Sequence, residues 1–169
     1  SFDSNGWTMS NGTPCNANGN SYIAWVWDGG TSTVSNTDGS ITSQVRANPT
    51  AGFSIVKYTP SQGSVIGHGL NQAPEFILIK GLGSRSWRVY HKSLDPAKTL
   101  YFDTSWETAD SSRVTAVTNT TFTYGTVGSM DYLAYCFAPV EGFSSVGSFV
   151  GNGSTDGPFV YTGFKVSWI

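Results

Sequence analysis

Short apolar runs divided by clusters of Gly, Asn, Asp and Pro recur along the whole chain, and almost none of them keeps helical spacing. No window sustains apolar residues at i, i+3, i+4 and i+7, which is the signature of a helix with one buried stripe. What recurs instead is the β pattern: β-branched and aromatic runs bounded by turn residues. Gly6–Ser10 reads as a strand. So does Tyr22–Trp27 (YIAWVW), which is apolar on both faces and is therefore expected to be central and covered on both sides. Val34–Thr50 is polar, turns at Asn36–Gly39 and stops at Pro49, the pattern of a surface hairpin. Strands follow at Phe53–Thr59, Glu75–Lys80 and Ser86–Lys92. In the last of these, Trp87, Val89 and His91 alternate with Arg88, Tyr90 and Lys92. Leu100–Asp103, Arg113–Thr118, Thr121–Gly125, Tyr132–Phe137, Phe143–Val150, Phe159–Thr162 and Val166–Ile169 complete the set. The one helical candidate is a turn or two at Trp106–Ser111, capped from Asp103–Ser105. Roughly a dozen strands are too many for one flat sheet, so the expected fold is all-β: a jelly-roll-like β-sandwich of two packed, mostly antiparallel sheets.

The chain repeats itself. GFSIVKYTPSQGS at Gly52–Ser64 returns as GFSSVGSFVGNGS at Gly142–Ser154. Each is preceded by one type of hexapeptide, YIAWVW at Tyr22–Trp27 and YLAYCF at Tyr132–Phe137. Each is also followed by a glycine–apolar pair and an aromatic–Ile pair, in GLNQAPEFI and GFKVSWI. The period of roughly ninety to a hundred residues is that of a small domain rather than a solenoid rung. The chain thus divides into the end of one copy (1–51), a full copy (52–141) and the start of the next (142–169), and reads as a fragment of a longer polypeptide. The N-terminal strands are expected to complete a sheet with the middle and C-terminal parts.

Composition narrows the function. Only 12% of the 169 residues are charged and 14% are aromatic, the reverse of a disordered chain. A net charge of -2 supplies no electrostatic footprint for nucleic acid or an anionic membrane, and no apolar run approaches the roughly 20 residues of a membrane-spanning helix. Neither is expected as a partner. Of the two cysteines, Cys15 lies in a Gly/Asn-rich loop and Cys136 in an apolar strand, so a reduced pair is the default over a disulfide.

Catalytic motifs are missing. There is no G-x-S-x-G, H-E-x-x-H or C-x-x-C. His68, between two glycines, reads as a turn residue tolerating positive φ, and His91 as a half-buried strand residue. Glu107 and Asp110 are close enough to share a site but suit an exposed first helical turn better. The loops Asn36–Ser40 and Gly151–Asp156 carry oxygen ligands that Ca²⁺ would accept, although turn chemistry alone accounts for them. No cofactor or metal is expected.

Aromatic residues remain. Six Trp and eight Tyr exceed what such a core needs, and Trp27, Trp87, Trp106 and Tyr161 are the best placed to form a surface platform. Such rings either stack on sugar faces or bury against neighbouring subunits. The block YLAYCFAPVEGFSSVGSFVGNGSTDGPFVYTGF (Tyr132–Phe164), with DGSITSQVRANPTAGFSIVKYT, GHGLNQAPEFILIK and WRVYHKSL upstream in the same order, resembles a family found in virion structural and tail-fibre proteins of tailed bacteriophages, marine and cyanobacterial phages above all. Val166 stands where that family has Pro, and Phe149–Val150 where a Tyr–Thr pair is common. The resemblance implies a β-rich, oligomeric component of the particle surface or tail, in contact with other virion proteins or copies of itself. The expected role is attachment to host-surface glycan. The alternatives are a decoration or fibre-building module with no ligand, and a polysaccharide depolymerase.

Overall fold

The computed structural model describes residues 2–3, 5–9, 15–95, 97–103, 107–108, 113–125 and 130–167. It is a β-sandwich of unequal antiparallel layers. The strands are β1 Phe2–Asp3, β2 Gly6–Trp7, β3 Thr33–Asn36, β4 Ser43–Asn48, β5 Phe53–Tyr58, β6 Ser64–Gly67, β7 Phe76–Gly81, β8 Arg88–His91, β9 Thr99–Tyr101, β10 Glu107–Thr108, β11 Val114–Val117, β12 Thr121–Tyr124 and β13 Tyr132–Phe137. Eight of them form one sheet in the order β10-β9-β8-β7-β13-β5-β4-β3, and three form a second, β11-β12-β6. β1 and β2 pair only with each other.

The late strand β13 inserts between β5 and β7, so the centre of the large sheet is a non-local pairing. Its two faces divide by the period of two. Tyr132, Ala134 and Cys136 point inward and are buried, and on either side of them stand Tyr58, Val56 and Ser54 from β5 and Gly81, Ile79 and Ile77 from β7. The small sheet closes over this surface with Ile66, Val114, Phe122 and Tyr124. Each large apolar side chain buried there contributes roughly 1.5–3 kcal/mol. Tyr58 stacks on Tyr132 at 5.9 Å and meets Tyr124 and Phe122 edge-on at 6.2 and 5.7 Å. Cross-links between the layers are polar at the margin: Ser43 Oγ donates to the Gly67 carbonyl at 2.9 Å, and Ser40 N–H to that of Val65 at 2.9 Å.

The hairpin expected within Val34–Thr50 is present as β3–β4, and Asn36 closes its turn by accepting the Asp38 N–H at 3.0 Å. Pro49–Ala51 makes one 3₁₀ turn, capped by the Asn48 side chain. Gly52 then takes φ +66° in a space where a Cβ would collide with the Ala138 carbonyl and the Val140 side chain, so only glycine fits.

Several expectations are corrected. Tyr22–Trp27 is not a central strand but exposed irregular chain. Phe143–Val150 and Phe159–Thr162 form no strand either; of the N-terminal part, β3 and β4 complete one edge of the large sheet, while β1 and β2 pair with each other. Residues 107–108 of the helical candidate pair with Leu100 and Thr99 as a strand edge, and the remainder of that candidate lies outside the described residues, as do Asp110 and Trp106. His68 is not a positive-φ turn residue: it is fully buried, and the positive φ values fall on Gly69 and Asn71 instead. Its Nε2–H faces the Thr118 carbonyl at 3.2 Å and its Nδ1 accepts the Leu70 N–H at 3.2 Å, a pairing that uses both ring nitrogens of a neutral imidazole. Burial lowers its pKa, against the weaker upward pull of the Thr118 carbonyl and Asp38. Both cysteines are free; burial pushes the Cys136 thiol up to about 12, while Cys15 is exposed.

Candidate functional site: an aromatic face outside the large sheet

The face of the large sheet that points away from the small one is also apolar, and strand register organises it in rows. In the first row His91, Phe76, Phe137, Phe53 and Asn48 lie side by side across β8, β7, β13, β5 and β4. The second row runs Leu100, Val89, Leu78, Tyr135, Ile55, Arg46, and the third is Lys80, Leu133, Lys57, Gln44. The face therefore grades from aromatic at one end to cationic at the other. Neighbouring rings touch: Phe53–Phe137 at 5.0 Å and Phe76–Phe137 at 5.6 Å, with interplanar angles of 41° and 49°. This face is only partly open: Phe53 and Val89 are buried, and Phe76, Leu78, Leu133, Tyr135 and Phe137 are half-buried.

Trp27 caps the first row. Its indole sits 5.8 Å from Phe137, edge-on, and 6.1 Å from Phe53, and it remains 42% exposed. The loop behind it explains the placement. Arg46 donates to the Gly30 carbonyl from Nε and Nη2 at 3.0 and 2.7 Å, and Asp28 accepts the Gly30 N–H at 2.8 Å. A guanidinium fork of this kind fixes direction as well as distance. Trp87 immediately precedes β8 and lies against Tyr135 at 6.0 Å, with the Lys80 ammonium 5.9 Å above its ring. Two ion pairs mark the margins. Lys57 meets Asp131 at 2.8 Å and Lys92 meets Glu75 at 2.7 Å. The hydrogen bonds from Lys57 and Thr59 hold the Asp131 carboxyl below its usual pKa.

Of the four aromatic residues singled out by sequence, the fold thus brings Trp27 and Trp87 onto one face. Tyr161 is 82% exposed on the chain that follows β13, and Trp106 lies outside the described residues. Of the rings that hold the face together, Tyr135 and Phe137 carried a legible signal in the apolar hexapeptide Tyr132–Phe137, and Phe53 and Phe76 lay in the strands expected at Phe53–Thr59 and Glu75–Lys80.

Elsewhere the chemistry is structural. His91 Nδ1 accepts the Ser93 N–H at 3.1 Å. The Asn36 and Asn152 loops use their oxygens internally, with Ser154 N–H on Asn152 Oδ1 at 3.0 Å, and no three His, Cys, Asp or Glu side chains gather as metal ligands among the described residues. A hollow of about 90 Å³ beside Tyr90, Lys92, Asp95 and Lys98 is backed by β11.

The whole chain, residues 1–169, matches one family, described as Domain of unknown function (DUF7483). The chain belongs to the DUF7483 family. No curated protein and no solved structure matches it.

Proposed function

We propose that this DUF7483 chain is a structural module of a tailed-phage particle, on its surface or tail, that works by adhesion between proteins. The observation that carries this reading is the outer face: a row of aromatic rings beside aliphatic side chains, with polar groups held at the margins. Phe76, Phe137 and Trp27, none of them fully buried, meet at 49° and 74° and offer mixed edges and faces, which suits a protein surface of similar texture. The exposed aliphatic side chains of Ile23, Val26 and Val150 point the same way, since they have no donor or acceptor to offer a sugar hydroxyl. The resemblance to virion proteins supplies the setting, with other virion proteins or further copies of the chain as partners. Light scattering across a concentration series tests it. The chain should self-associate, and Ile55→Glu, central on the face and beside Arg46 in register, should weaken association at least tenfold with an unchanged far-UV spectrum. Association that ignores this charge would remove the face from the reading.

Trp27 and Trp87 on one face favour a second reading, attachment to a host-surface glycan by ring stacking. Weak stacking by single modules would be raised by roughly 10²–10⁴ through repetition on the particle. Binding on a glycan array that disappears in Trp27→Ala and Trp87→Ala supports this second role; an array without signal discards it.

A further inference from the structure

The gap between the two sheets opens at one margin. There β11, the edge strand of the small sheet, faces the turn that joins β8 to β9 across a hollow of about 90 Å³. The edge is irregular at this place. Val114 pairs with Tyr124 and Ala116 with Thr123, so Thr115 is one residue more than β12 matches. A bulge of this kind bends an edge strand and re-aims its side chains, and Thr115 and Ala116 both line the hollow. The opposite wall is tied down by its own backbone. Lys92 N–H bonds the Glu75 carbonyl, Leu94 N–H that of His91 and Lys98 N–H that of Asp95, each at 2.9 Å. Asp95 Oδ1 accepts the Ala97 N–H at 2.8 Å.

The lining joins two chemistries. Tyr90, Val114 and Ala116 are its apolar part, with the Tyr90 ring half-buried on the inner face of β8, opposite Ile77. Lys92, Lys98, Asp95 and Thr115 are its polar part. A few polar groups converging over apolar surface make a ligand seat. This one is far smaller than the roughly 300 Å³ of a pocket that encloses a whole small molecule, so it suits one protruding group.

Charge selects the group. Two lysines against one aspartate favour a carboxylate. Glu75 bonds Lys92 Nζ at 2.7 Å, but an ammonium carries three N–H donors, so that pair does not exhaust it. Burial, and after it the Glu75 charge, raises the Tyr90 pKa, which keeps the phenol a donor at neutral pH. Asp95 then discriminates between sources of the carboxylate. It repels an aspartate or glutamate side chain, whereas a sugar acid offers it a hydroxyl beside the carboxylate.

We infer that this hollow is a subsite for the carboxylate end of a uronic acid within a host-surface glycan. Lys92 and Lys98 hold the carboxylate, Asp95 accepts from the neighbouring hydroxyl, and Tyr90 packs on the sugar carbon between them. The inference rests on the glycan reading above and names its sugar class. The seat lies between the layers, apart from Trp27 and Trp87 on the outer face.

Amide NMR titration of the whole chain with methyl glucuronide, methyl glucoside and N-acetylaspartate tests it. The glucuronide should move the signals of Leu94, Asp95 and Lys98 and bind at least tenfold more tightly than the other two probes. Lys98→Met should weaken it at least tenfold. Ala116→Leu, which fills the hollow and leaves every charge in place, should do the same. Glucuronide and glucoside bound alike, N-acetylaspartate bound more tightly, shifts unchanged in both variants, or no shift with any probe would each overturn the subsite. The glycan array keeps the two proposals apart. Signal that survives Lys98→Met but disappears in Trp27→Ala discards this subsite alone, and a silent array with an unmoved NMR spectrum discards both.

Discussion

Gly52–Tyr58 and Gly142–Ser148 begin with the same three residues and the same left-handed glycine, yet one lies in the middle of a sheet and the other is exposed chain. The difference is neighbours. β5 has β4 on one side and β13 on the other, and every apolar side chain on its inner face meets the small sheet. Residues 143–148 have the turn without the flanking strands. Local sequence sets a turn, and pairing decides whether a strand follows it.

Substitutions at equivalent positions should expose that contrast. Gly52→Ala forces a Cβ into the Ala138 carbonyl at φ +66°, whereas at Gly142 the space is open and only the φ of +74° resists. The left-handed strain of roughly 1–2 kcal/mol is common to both, and the collision adds to the first alone. Urea denaturation should therefore show a loss of about 3 kcal/mol or more for Gly52→Ala and about 1 kcal/mol for Gly142→Ala. Val56→Ala, emptying a fully buried site, should cost about 2 kcal/mol, and Val146→Ala in the isolated chain less than about 0.5. Equal losses within either pair would mean that the two segments are packed alike.

A smaller effect comes from His68, buried in the paired copy. Its folded-state pKa lies below the ordinary value of 6.5, so below that pH the unfolded chain takes up a proton that the folded protein does not. Stability from the neutral imidazole is complete above about pH 6.5 and falls as pH drops towards the folded-state pKa, by at most about 1.4 kcal/mol per pH unit. Denaturation midpoints at pH 7.5, 6 and 5 should fall in that order, and His68→Gln should flatten the decline. A midpoint independent of pH over that range would show that His68 ionises freely.

The smallest effect has the opposite sign. The Tyr58 hydroxyl is buried with no hydrogen-bond partner, and burial, with Tyr124 next, raises its pKa well above 10. An orphaned hydroxyl costs desolvation without return, so Tyr58→Phe should leave stability unchanged or raise it by about 1 kcal/mol. A loss greater than 1 kcal/mol would reveal a hidden partner.

Much of the fold was legible. The alternating run at Ser86–Lys92 and the apolar runs at Phe53–Thr59, Glu75–Lys80 and Tyr132–Phe137 became β8, β5, β7 and β13, and the Asn36–Gly39 turn became a hairpin, because short apolar runs and turn residues are local signals. The outer aromatic face was half legible: Trp27 and Trp87 stood out as rings, but that they share a face depends on β13 entering between β5 and β7 from a distant part of the chain. His68 was misread for a related reason. A glycine on each side suggests a turn, and only the approach of Thr118, just past β11, makes the imidazole a core residue.

By itself the sequence determined the class of fold, the strand faces and the glycine turns, since each follows from residues within a few positions of one another. Tertiary structure decided which of two related segments became a strand, which rings became a surface, and where a histidine was buried. Those outcomes depend on partners distant in the chain, and a β-strand, unlike a helix, cannot satisfy its backbone alone.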